Sequence, residues 1–170
     1  MQGATGLAND ATATMHELFA TRVHRVHFGP YAIDRPTTSC KPHNYTGLDL
    51  FGAEVLRRFH VVFDYERERI LLDPNTAFPA PTRADRGGMF LIASQTDASV
   101  RQVRFVTPGG PAEEAGIEAG DVLLSIDGEP ADARSLHATR LLFFERGSFE
   151  LVFERDGEER AVTLVTRDLL

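Results

Sequence analysis

Thr107 to Gly128 reads TPGGPAEEAGIEAGDVLLSIDG, and these 22 positions decide how the rest of the chain is laid out. Pro108-Gly109-Gly110 ends a strand, and Pro111 suits the first turn of a helix, where its missing N–H costs nothing. Glu113 and Glu114 then stand at the positive end of the helix dipole. Gly116 predicts a left-handed helix stop, and Gly120 supplies the turn before Asp121. Val122, Leu124 and Ile126 alternate as a strand that ends in the turn Asp127-Gly128.

In order and spacing this stretch resembles the central signature of PDZ domains, especially the bacterial kind attached to proteases. The residues that carry the likeness are Pro111-Ala112, Ala115-Gly116-Ile117, Ala119-Gly120-Asp121-Val122 and Ile126-Asp127-Gly128. The resemblance implies a partly open β-barrel with two helices over residues 87–170.

Outward from it, Arg86-Gly87-Gly88 leads into an apolar strand, Met89-Phe90-Leu91-Ile92-Ala93. In PDZ domains the loop before this strand gives backbone N–H groups to a peptide's terminal carboxylate, and the ligand adds as an edge strand. The resemblance therefore implies a peptide site at Gly87, Gly88, Met89, Phe90, Leu91 and Ile92. The loop departs from the commonest Gly-Leu-Gly-Phe form. Val100 to Val106 predicts the next strand, Ser135 to Glu145 a helix, and 148–154 with 160–166 a hairpin about Asp156-Gly157. The helix would wall the groove with Leu136 and Arg140, the latter reading an acidic residue or the carboxylate. Its stripe Leu136, Thr139, Arg140, Phe143 competes with Leu141, Leu142 and Phe144 for the core, and the rotation stays open.

Residues 77–86 carry two prolines without periodicity and predict a linker. Upstream, Met1 to Met15 is small and polar and reads as a loop. Thr21 to Phe28 alternates imperfectly, and Tyr31 to Cys40 holds a short strand with a turn at Asp34-Arg35-Pro36. Ala53 to Phe59 predicts a short helix with Val55, Leu56 and Phe59 on one side. His60 to Tyr65 and Arg69 to Leu72 predict a hairpin closed by Glu66-Arg67-Glu68.

Gly47 to Gly52, Glu54 to Phe59, Val61-Val62-Phe63-Asp64-Tyr65 and Ile70-Leu71-Leu72 together resemble the C-terminal half of a retropepsin-like aspartic protease domain. Val26-His27-Phe28-Gly29-Pro30 is similar to the strand and turn that precede it. The resemblance implies an incomplete retropepsin-like β-fold over 1–76. The whole chain is then expected to be mainly β with short helices (α+β). Aspartic proteases need two carboxylates sharing a proton. No Asp-Thr-Gly or Asp-Ser-Gly occurs, and Ala4-Thr5-Gly6 has Ala where the carboxylate would be. No catalytic residue is expected in this chain.

A net charge of −7 argues against nucleic acid, which needs clustered Lys and Arg. Cys40 is the only cysteine, which rules out an internal disulfide. His16, His24, His27 and His43 lack metal-site spacing, so neither metal nor cofactor is expected. No apolar run approaches the roughly 20 residues that span a bilayer. The N-terminus lacks the pattern of a signal peptide, while the resemblance suggests the periplasm or cell envelope.

Three functions fit. The first is a module binding a protein C-terminus or extended segment, joined to an incomplete protease-like domain. The second is a fragment of an active aspartic endopeptidase whose catalytic half lies upstream in a longer chain. The third is a structural piece. Open sheet edges in the N-terminal half predict a homodimer through it.

Overall fold

A computed structural model of the protein describes residues 3–9, 15–40, 52–94 and 96–170. The chain forms two compact units. One comprises Met1–Thr21, Ser39–Lys41 and Ala84–Leu170, the other Arg22–Thr38 and Pro42–Arg83.

Strands β1 (Gly3–Asn9) and β2 (Met15–Arg22) pair antiparallel, in register from Gly3↔Thr21 to Asn9↔Met15. The loop expected over residues 1–15 is thus corrected. A ladder of backbone hydrogen bonds needs no apolar alternation to define it, so the small residues of GATGLAN left no periodic signal. The imperfect alternation over residues 21–28 covers the end of β2 and the start of another strand. Val23 N donates to Pro36 O and Arg35 N to His24 O, and a separate hairpin follows. It consists of β3 (Arg25–Phe28) and β4 (Tyr31–Asp34), and β5 (Thr37–Cys40) comes next. Of the stretch Gly47 to Gly52 on which the aspartic-protease resemblance partly rests, all but Gly52 lies outside the described residues.

Helix α1 (Ala53–Leu56) is one turn long. It delivers Phe59 to the start of β6 (Phe59–Asp64), which pairs with β7 (Arg69–Pro74) through Val62↔Leu71 and Phe63↔Ile70. Phe59 is buried and anchors an aromatic cluster. Its ring centroid lies 5.1 Å from Tyr31, 5.3 Å from Phe78 and 6.3 Å from Phe28. Tyr31 Oη donates to Leu72 O at 3.0 Å, so the polar tip of this small core is satisfied.

Residues 77–83 follow, and a buried arginine ties them down. Arg58 donates to Phe78 O (3.0 Å), Ala80 O (2.6 Å) and Thr82 Oγ1 (3.0 Å), and pairs with Glu54. A proline-rich stretch without periodicity is ordered here by one side chain reading its carbonyls.

The C-terminal part runs β8 (Met89–Ala93), β9 (Arg101–Val106), α2 (Pro111–Glu114), β10 (Val122–Ile126), β11 (Glu129–Pro130), α3 (Leu136–Leu142), β12 (Ser148–Arg155) and β13 (Glu158–Val165). The sheet order is β13-β12-β10-β9-β8, with β11 beside β10. Local chemistry sets the joints. Pro111 opens α2 and Gly116 stops it at φ +80°. Asp127-Gly128 and Asp156-Gly157 all take positive φ, as the tightest hairpin turns require. Leu91, Leu123, Ile126, Leu151, Phe153 and Leu164 fill the core.

Candidate functional site

Strand β8 is the last strand in its sheet. It pairs with β9 on one side and leaves its other backbone edge to α3. Ser135 caps α3, its side chain accepting from Ala138 N at 3.2 Å. The rotation that the sequence left open is decided by burial: Thr139 (0% exposed) and Phe143 (2%) face the core, and Leu136 and Leu142 pack against it. One inward stripe at i, i+3 and i+7 thus wins.

The predicted site residues separate by strand alternation. Met89 and Leu91 point into the core, while Phe90 and Ile92 are half-buried on the other face. Leu136, at the start of α3, lies partly buried. Arg140 leans across the strand edge. Its Nε donates to Leu91 O at 2.8 Å, Nη2 donates to the same oxygen, and its guanidinium carbon lies 4.5 Å from the centre of the Phe90 ring. Burial pushes its pKa down. Among the described residues no carboxylate pairs with Arg140.

The loop before β8 is held at both ends. Gly87 O accepts from Ala112 N (3.0 Å) and Gly88 O from Thr107 N (2.8 Å), which ties the loop to the start of α2. Arg86 N donates to Phe143 O (2.8 Å), which ties it to the end of α3. Gly88 has φ +74°, and a Cβ there would stand 3.2 Å from Pro111 Cδ. A Cβ on Gly87 would stand 3.0 Å from Phe143 Cβ. Both glycines are buried; Gly88 is required by its φ, and at Gly87 a side chain would press on Phe143.

Sequence reasoning passed over one residue here, Asp85, which it placed in the linker. Its Oδ1 accepts from Gly87 N at 3.1 Å and its Oδ2 from Gly88 N at 2.9 Å. Burial pushes its carboxyl above the ordinary carboxylate range, against the opposing pull of the Gly88, Gly87 and Arg86 N–H groups. The signal was local: an Asp two and three residues ahead of two glycines is an Asx-turn pattern. Among the described residues no group of three or more His, Cys, Asp or Glu could hold a metal ion, and no helix is long and apolar enough to cross a membrane.

Residues 102–155 match the sequence profile of the PDZ domain. The C-terminal part of the chain therefore contains a PDZ domain. Among curated proteins nothing matches the chain. Of solved structures, the photosystem II D1 C-terminal processing protease is 27% identical over 49% of this chain and 23% of its own, with a TM-score of 0.44. The HtrA3 PDZ domain bound to a phage-derived ligand is 18% identical over 50% of this chain and 85% of its own, with a TM-score of 0.41. A serine endoprotease from Yersinia pestis is 17% identical over 98% of this chain and 62% of its own, with a TM-score of 0.45. This chain thus spans less than two-thirds of either protease. The aspartic-protease resemblance of residues 1–76 finds no support among these comparisons.

Proposed function

We propose that the PDZ domain binds an extended peptide segment of another protein, added as a strand along the outer edge of β8 beneath α3. One observation carries this reading: among the described residues β8 has a single strand partner, β9, and its far edge faces a helix that presents Leu136 and Arg140. Edge pairing supplies main-chain hydrogen bonds, and alternate ligand side chains enter the space between strand and helix. Affinity should be modest, about micromolar or weaker, because a flexible peptide must be ordered to bind.

The protease half of the earlier expectation does not enter this reading, since no comparison stands behind an aspartic-protease domain in residues 1–76. Peptide recognition alone remains, with Gly87, Gly88, Met89, Phe90, Leu91, Ile92, Leu136 and Arg140 around the groove.

The test is backbone amide mapping by NMR with peptides selected from a displayed library. Shifts should concentrate at Phe90 to Ala93 and at Leu136 to Arg140. Shifts confined to other strands would refute edge addition.

A further inference from the structure

We propose that this groove takes internal extended segments carrying an acidic side chain rather than free C-termini, because the chain's own Asp85 already fills the carboxylate position of the loop. The inference rests on the peptide-binding reading and names its ligand class.

A free C-terminus is captured when loop N–H groups converge on an incoming carboxylate. Here the loop amides of Gly87 and Gly88 are already committed. Each donates to one oxygen of the Asp85 carboxylate, at 3.1 Å and 2.9 Å. An N–H has one hydrogen to give, so a ligand carboxylate would have to displace Asp85. It would also bring a second negative charge beside the first. The loop is also held in place, since Gly87 O and Gly88 O accept from Ala112 N and Thr107 N, and Arg86 N is spent on Phe143 O. Two like charges would compete for one set of amides.

The attraction for an anion lies further along the strand. Arg140 carries a permanent charge, is partly buried, and among the described residues bonds a neutral carbonyl, Leu91 O, and no carboxylate. That carbonyl lies on the edge where an added strand would donate its own N–H. An incoming segment therefore takes over Leu91 O and releases the guanidinium. An acidic side chain on the segment then receives it in a two-pronged pair. Phe90 keeps the guanidinium over the edge while this exchange occurs. Loop and helix thus place the anion site in the middle of the groove, away from its end.

The experiment displays one random heptapeptide library in two formats, internally between fixed flanks and at a free C-terminus, and selects both against the intact chain. Wild type should enrich the internal format, with Asp or Glu dominant at one position. Synthetic forms of the winners should bind equally with free and amidated ends. Asp85→Ala should raise binding of free-carboxylate peptides tenfold or more over their amidated forms. Asp85→Asn, which keeps an acceptor oxygen, guards against a folding defect and should shift the same ratio in the same direction. Arg140→Gln should erase the preference, read as the affinity ratio between a winning peptide and the same peptide with Ala at its acidic position, and an unchanged ratio would overturn the assignment of Arg140. Wild-type selection of free C-termini whose amidation abolishes binding would overturn the inference and leave peptide binding standing. Enrichment of neither format would overturn both.

Discussion

Arg155 meets Asp121 as a fork, Nε to Oδ1 at 2.6 Å and Nη2 to Oδ2 at 2.7 Å. Asp121 is 2% exposed and also accepts from Glu118 N at 2.9 Å, so every bond it needs is made by the turn that follows Gly116 or by β12. Burial alone would push Asp121 up. The Arg155 bonds, the Glu118 N–H and the Arg155 charge more than reverse this and hold it below the ordinary value of 3.8. Asp121→Ala should cost about 1–3 kcal/mol, since it removes the fork and leaves Glu118 N without its acceptor, while Arg155 keeps Glu118 Oε1 and Gly116 O. The stabilisation from Asp121 is present above pH 3.8 and is lost as pH falls through its lower folded value. Thermal unfolding against pH should show a flatter acid limb in the variant. An unchanged limb would refute this role.

Asp85 should behave with the opposite sign. Its folded pKa is raised, so its contribution is full below 3.8 and is lost as pH rises through the folded value. Asp85→Asn should therefore gain stability relative to wild type as pH is raised from about 4 to 7. Denaturant melts of both proteins across that range measure the difference. A difference constant with pH would contradict it.

Gly88 is a folding position as well as a member of the loop before β8. Its φ is +74° and the new Cβ would press on Pro111. Gly88→Val should lower stability by about 1–3 kcal/mol or more. Gly109 also has a positive φ, +67°, but open space around it, so Gly109→Ala should cost about 1–2 kcal/mol and less than the first. Melting temperatures in the reverse order would show that contact with Pro111 does not matter.

Phe59→Ala removes the ring shared by Tyr31, Phe78 and Phe28, at a cost of about 3–5 kcal/mol to the unit that contains it. Hydrogen exchange should then accelerate at β3, β4, β6 and β7 while protection of residues 102–155 holds. Equal loss across the whole chain would mean that the two units do not unfold separately.

The β6–β7 hairpin exposes Val62, Phe63, Ile70 and Leu71 at 46–55% and Tyr65 at 86%. Adjoining apolar side chains in water favour association, so the homodimer expected through this half should depend on them. Phe63→Ser with Ile70→Lys should shift sedimentation toward the monomer. No shift, or a wild type that is monomeric at all concentrations, would remove the dimer reading.

The joints of the PDZ domain were legible because their causes span only a few residues. Pro111 can open a helix but not extend one. Gly116, Gly120 and Gly128 take φ values that other residues resist, and Asp127-Gly128 closes a hairpin by itself. Asp85 was legible on the same scale, since its bonds reach only to Gly87 and Gly88, but proline-rich surroundings made it look like linker. Other features depend on chain distance. Arg140 finds Leu91 O across 49 positions, and Arg155 finds Asp121 across 34. Arg58 orders a stretch about 20 residues away through its carbonyls. The inward stripe of α3 was settled by which side chains the sheet could cover, and β1 by the backbone of β2. Periodicity reports how a segment divides between core and water. Which donor meets which distant acceptor depends on how the elements pack, so the seat of Arg140 on the edge of β8 became visible only in the folded chain.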